Sequence, residues 1–219
     1  MKKNYYAKVL ALTVAASMVS VPAFAEEGDG TAVATLQAES EATVIPATTE
    51  NETEKTIPEA GGNLESGTYK LTEDVTLKDA NLTIPVDEEV TIDLNGNTLT
   101  GNGLGSVIRV YGKLTILDSG NGGKIAGGFK NYTGAWVNNV EHDGGGIFVD
   151  THAEVILESG SITGNDAWNG GGVYVNGGGS FTMNGGEISN NRTLRPYHGG
   201  GGGIYVLNDE TKGTGKFVM

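Results

Sequence analysis

From Tyr69 onward, apolar and polar residues alternate in short runs. Tyr69/Leu71, Val75/Leu77, Leu82/Ile84, Val90/Ile92/Leu94, Ile108/Val110 and Leu114/Ile116 all keep period two. That spacing puts every second side chain on one face of a strand. The runs themselves recur. Gly144-Gly145-Gly146-Ile147-Phe148-Val149 returns as Gly170-Gly171-Gly172-Val173-Tyr174-Val175 and again as Gly201-Gly202-Gly203-Ile204-Tyr205-Val206. Each copy is followed by a second run: Val155-Ile156-Leu157, Phe181-Thr182-Met183 and Phe217-Val218-Met219. The first two carry a third signature, Ser161-Ile162-Thr163-Gly164-Asn165 and Glu187-Ile188-Ser189-Asn190-Asn191, each position displaced by 26 residues. Three short strands per repeat of that length predict a solenoid.

The same spacing reaches upstream. Leu82/Ile84 and Ile108/Val110 are again 26 apart, and Lys124-Ile125-Ala126-Gly127-Gly128 matches the third signature. Regular coils are therefore expected from near residue 80, with residues 63–79 an atypical first turn serving as a cap. Of the 36 glycines, 30 follow residue 100, which suits corners that need positive φ and disfavours helix. Asn165 and Asn191 fall at equivalent corners, where stacked amides can hydrogen-bond from coil to coil. The predicted class is all-β, a right-handed single-stranded parallel β-helix of about five coils. Because Phe217-Val218-Met219 stops midway through a second strand, the sequence is expected to be a fragment of a longer reading frame.

The first 25 residues read as a signal peptide: Lys2, Lys3 and Lys8, then the mostly apolar run 9–21, then Ala23-Phe24-Ala25. Export to the cell surface or exterior follows from it. Residues 26–60, rich in Glu, Thr and Ala, are expected to be a disordered linker, and residues 61–219 the repeat domain. Removing the signal leaves 11 basic against 27 acidic residues, a net charge of −16. Such a polyanion repels phosphate backbones and anionic lipid, so neither nucleic acid nor membrane insertion is expected for this region. There is no cysteine, so the exported core holds without disulfides.

Residues 63–219 resemble the glycine-rich right-handed parallel β-helix repeats of bacterial adhesin-like surface proteins. The resemblance is carried by Val90-Thr91-Ile92-Asp93-Leu94-Asn95-Gly96-Asn97-Thr98-Leu99, similar to an opening coil of that family. Phe181-x-x-Asn184 and Gly202-Gly203-Ile204 are similar to the repeats of polymorphic outer-membrane proteins; Val155-x-x-Glu158 departs from that pattern. The resemblance implies a non-catalytic surface module that binds a glycan or a host or neighbour-cell component. The alternatives are a secreted polysaccharide lyase or glycoside hydrolase of the β-helix class and a structural stalk for a further domain, because this fold hosts several functions.

Candidate chemistry follows from strand parity. If Ile147/Val149, Val173/Val175 and Ile204/Val206 face inward, Phe148, Tyr174 and Tyr205 face outward and stack. Trp136, Trp168 and Tyr197 lie in the loops entering these strands, and Asp143, Asp150, Asn176, His142 and His198 could add polar contacts. Aromatic faces with polar neighbours suit the C–H surface of a sugar ring. The alternative is a ladder whose rings only stack on one another. Asp93, Asp118, Asp143 and Asp150 could form a hydrolytic carboxylate pair by stacking on adjacent coils, and Arg192 with Arg195 resembles a lyase's Arg element. Neither Asp-Asp nor Gly-His-Gly occurs, however. The three histidines show no metal-ligand spacing, so neither metal nor cofactor is expected.

Overall fold

The computed structural model describes residues 54–129, 143–194 and 200–219. The signal peptide, most of the linker, Trp136, Tyr197, His142, His198 and Arg195 lie outside the described residues. Within them the chain winds as a parallel β-helix, without helix, and three sheets run along it. Sheet I stacks Gly62–Asn63, Leu82–Ile84, Ile108–Val110, Ile147–Val149, Val173–Val175 and Ile204–Val206. Sheet II stacks Gly67–Lys70, Glu89–Asp93, Lys113–Leu117, Glu154–Leu157, Ser180–Met183 and Lys216–Val218. Sheet III stacks Val75–Thr76, Thr98–Thr100, Lys124–Ala126, Ser161–Thr163 and Glu187–Ser189. Five coils are thus complete, and the sixth contributes strands to sheets I and II.

Like residues stack on like. Leu82, Ile108, Ile147, Val173 and Ile204 are register partners in succession, and the first four are fully buried. Sheet II continues the core inward with Val90, Leu114, Val155 and Phe181, each 0–1% exposed. Phe181 also stacks on Phe217 at 5.9 Å. The period-two runs are therefore the core-facing columns. The glycine triplets serve close approach. A Cβ on Gly145 would fall 2.3 Å from the Asp166 carbonyl oxygen and 2.5 Å from that of Gly171, so only a bare backbone lets these coils meet. Their amides extend the ladder: Gly145 and Gly146 donate to the Gly170 and Gly171 carbonyls, both at 3.1 Å.

The N-terminal boundary differs from the sequence expectation. Residues 62–76 form a full first coil, paired in register with the second. The cap is the segment from residue 54, which had been assigned to the linker. Lys55 bridges Tyr69 in parallel, Ile57 is 7% exposed, and Lys78 pairs with Glu59. The composition of this segment hides one apolar side chain that finds the open top of the core. Backbone bonds to the first coil then satisfy the edge strand.

Side chains tie coil to coil at the repeat distance. Asn165, with no exposed surface, donates from Nδ2 to the Asn191 side-chain oxygen at 3.0 Å and to the Ile125 carbonyl at 3.0 Å. Its own oxygen accepts from the Gly128 N–H at 3.0 Å. The predicted asparagine ladder is present. Asn184 to Glu158 and Arg192 to Asp166 repeat the device at the same 26-residue separation.

Candidate functional site

The long departures from the 26-residue repeat fall at two corners, and both border sheet I. Between sheets III and I, the step from Ala126 to Ile147 replaces the short step from Thr100 to Ile108. The step from Ser189 to Ile204 is lengthened too. Between sheets I and II of the sixth coil, an antiparallel hairpin intervenes, Asn208–Asp209 against Gly213–Thr214. The corner between sheets II and III stays short in all five complete coils. Variable loops on a regular scaffold are where binding residues concentrate, and here they frame one face.

The centre of that face is the predicted aromatic column. Phe148, Tyr174 and Tyr205 are register partners, with ring centroids 5.4 and 5.5 Å apart and planes within 7° and 5°. Phe148 and Tyr174 are only 4% and 7% exposed, while Tyr205 is half-buried. Most ring faces are taken up within the column itself. Both faces of Tyr174 are taken by its neighbours, and the remaining face of Phe148 carries the Arg109 guanidinium, 4.4 Å from the ring centroid. Arg109 is the register partner of Phe148 in the preceding coil, and its Nε donates to the Tyr111 hydroxyl at 3.2 Å. Of the three rings, only the half-buried Tyr205 has a face that no neighbouring ring of the column covers.

Acidic residues bracket the column. Asp143, ahead of the Phe148 strand, accepts from the Asn169 amide Nδ2 at 2.9 Å and its backbone N–H at 3.2 Å. Asp150, just past that strand, accepts from Asn176 Nδ2 at 2.7 Å. Since Asn169 and Asn176 flank the Tyr174 strand, the two carboxylates are held at its two ends. Asp209 joins them from the hairpin, where it accepts from the Thr211 N–H and hydroxyl at 2.8 and 2.6 Å and the Lys212 N–H at 3.1 Å. The Thr211 hydroxyl and the two backbone donors hold its carboxyl below the usual range. The hairpin seats on a bare turn: a Cβ on Gly177 would fall 2.7 Å from Asp209 Cβ. Burial, reinforced by Asp143, Tyr205, Asp209 and Asp150, pushes the Tyr174 phenol up to about 12.

The remaining candidates are dispersed. Trp168 is half-buried at the corner entering the fifth coil, its carbonyl accepting from the Thr193 hydroxyl at 2.7 Å. Asp93 and Asp118 lie at the opposite corner, between sheets II and III, and do not pair with Asp143 or Asp150. Asp93 caps the turn, accepting from the Ser119 N–H and hydroxyl at 2.9 and 2.6 Å and the Asn95 N–H at 2.9 Å. Asp118 accepts from the Gly96 and Gly123 N–H groups at 2.6 and 2.8 Å. Both hold turns that stacked strands leave with unpaired amides. Arg192 is pinned to Asp166 at 2.8 Å. No group of three or more His, Cys, Asp or Glu poised to hold a metal ion occurs among the described residues.

The chain matches no protein-family model, no curated protein and no solved structure. Two participants escaped the sequence reading. Aligning Ile108/Val110 with Ile147/Val149 puts Arg109 opposite Phe148, so the signal was there behind the long insertion. The stretch from Tyr205 to Phe217, five residues longer than that from Tyr174 to Phe181, was the trace of the Asp209 hairpin.

Proposed function

We propose that this chain is an exported bacterial surface module of adhesin-like type. It presents the outer face of sheet I in coils four to six to a glycan of a host or neighbouring cell, without catalysing a reaction. The observation that carries this reading is the confinement of every long corner to the two borders of that face, around a column of tyrosine hydroxyls and anchored carboxylates. The leader-like first 25 residues and the resemblance to adhesin-like repeats support it. A stack held by ladders along its whole length is stiff, and a stiff face loses little entropy on binding.

The reading is tested by retention of the purified chain on a panel of immobilised polysaccharides. Tyr205→Ala with Asp150→Ala is compared at matched urea midpoint. Retention by at least one glycan, lost in the double variant, supports it. Equal retention by the variant overturns the site, and no retention by any glycan overturns the ligand class. New reducing ends or unsaturated products would move the assignment to a hydrolase or lyase.

A further inference from the structure

We propose that Asn121 is a site of spontaneous covalent modification. Its side-chain amide is lost to attack by the Gly122 backbone nitrogen, leaving aspartate and isoaspartate in the corner between sheets II and III. The inference is independent of the glycan reading and concerns the corner away from sheet I.

The chain holds six Asn-Gly pairs, at Asn95, Asn102, Asn121, Asn169, Asn176 and Asn184. A glycine in second place leaves its nitrogen unshielded, because no Cβ stands beside it. Closing a ring between that nitrogen and the Asn Cγ also requires a side chain free to swing and a backbone free to rotate. Five of the pairs are tied down. Asn95 Nδ2 donates to the Leu71 carbonyl at 2.9 Å, and the Gly96 N–H donates to Asp118 at 2.6 Å. Asn102 accepts from the Leu104 N–H at 3.0 Å. Asn169 and Asn176 donate to Asp143 and Asp150 at 2.9 and 2.7 Å. Asn184 donates to Glu158 at 2.9 Å, and the Gly185 N–H donates to the Leu157 carbonyl at 3.3 Å.

Asn121 is the exception. Neither its side chain nor the Gly122 N–H hydrogen-bonds to a described residue. Both residues are exposed, and a Cβ on Gly122 would meet nothing within 4 Å. They border an open recess of about 370 Å³, lined also by Asp118, Lys124, Ser161 and Glu187, so water reaches the amide. The shoulders of the turn are fixed. A Cβ on Gly120 would fall 2.3 Å from the Asn95 carbonyl carbon, and the Gly123 N–H donates to Asp118 at 2.8 Å. The tip between them can rotate without breaking a hydrogen bond. Asn121 holds φ at 66°, a left-handed conformation that costs a residue with a Cβ, and rotation of the tip relieves that cost.

The chain supplies both reacting groups, and water supplies the rest. Hydroxide removes the Gly122 amide proton, the nitrogen bonds to Asn121 Cγ, and the Cγ–Nδ2 bond breaks to release ammonia, which takes its proton from water. A second water opens the cyclic imide, its hydroxyl going to the attacked carbonyl carbon and its hydrogen to the ring nitrogen. Attack at Cγ gives aspartate, and attack at the backbone carbonyl gives isoaspartate. Either product adds one negative charge to the recess that Asp118 lines.

The test incubates the full chain in mildly alkaline buffer, native and in urea, then digests it in acid and maps the peptides by mass spectrometry. Electron-transfer fragmentation distinguishes isoaspartate from aspartate. In the native chain Asn121 is expected to convert about tenfold or more faster than any other Asn-Gly pair, because each of the others must first open a hydrogen bond. In urea all six are expected to convert at comparable rates. Asn121→Gln, whose longer side chain closes a ring slowly, is expected to lose the conversion. Native conversion at Asn102 or Asn184 as fast as at Asn121 overturns the assignment. Aspartate without isoaspartate overturns the ring-closure route. A preference for Asn121 that persists in urea belongs to its neighbours in sequence and overturns the structural argument.

Discussion

Replacing Asn165 by alanine tests what holds the stack together. The side chain has no exposed surface. Its oxygen accepts from the Gly128 N–H at 3.0 Å, and its nitrogen donates to the Ile125 and Thr163 carbonyls and to Asn191 Oδ1 at 3.0–3.1 Å. Alanine leaves two fully buried groups, the Gly128 N–H and the Ile125 carbonyl, without these bonds. Each orphan costs about 1–3 kcal/mol, so the expected loss is about 3–4 kcal/mol. Asn191 is half-buried, and water can replace part of what it gives, so Asn191→Ala is expected to cost about 1 kcal/mol. The double variant should fall short of the sum by about 1 kcal/mol, because the first substitution already breaks the shared bonds. Urea unfolding followed by circular dichroism, with m unchanged, measures all three. If Asn165→Ala lies within about 0.5 kcal/mol of wild type, or Asn165→Leu matches it, the amide ladder does not hold the coils and the reasoning is refuted.

Three further outcomes follow from the same geometry. Tyr174 stays neutral in the native state up to about 12, whereas an unfolded tyrosine ionises near 10. Stability is therefore full below pH 10 and falls by about 2–3 kcal/mol as pH rises toward 12; Tyr174→Phe should lack this decline, and one phenol should titrate late by absorbance. At Asp93, burial alone would raise the carboxyl. The Ser119 hydroxyl, the Ser119 and Asn95 N–H groups and Lys70 outweigh it and hold the group below the usual range. Its stabilisation is present above about pH 4 and lost as pH falls further, so Asp93→Asn should flatten the acid limb of a pH-stability curve. Gly145→Ala forces a Cβ against two backbone oxygens and is expected to cost about 3 kcal/mol or more in thermal or urea unfolding. Gly105→Ala, where the Cβ meets nothing within 4 Å, should change stability by less than about 0.5 kcal/mol.

The sequence by itself determined the winding. Period-two alternation and a 26-residue repeat leave one way to bury Leu82, Ile108, Ile147 and Val173: stacked in register. They also place Asn165 above Asn191 and line up Phe148, Tyr174 and Tyr205. These are short-range facts, because each coil copies the hydrogen-bond pattern of its neighbour. What the tertiary structure decided is how the aromatic column is used. Alternation assigns Phe148 and Tyr174 to the outer face, but outward does not mean exposed. Mutual stacking and the Arg109 guanidinium take up both faces of Phe148 and of Tyr174. The packing of Ile57 and Lys55 on the first coil was equally hidden, since one apolar residue in a polar stretch has no period to betray it. Asp209 reaches the Gly177 turn after the Tyr174 strand only because a hairpin folds back over it. Contacts of that kind depend on where loops land across coils, and no local pattern encodes them.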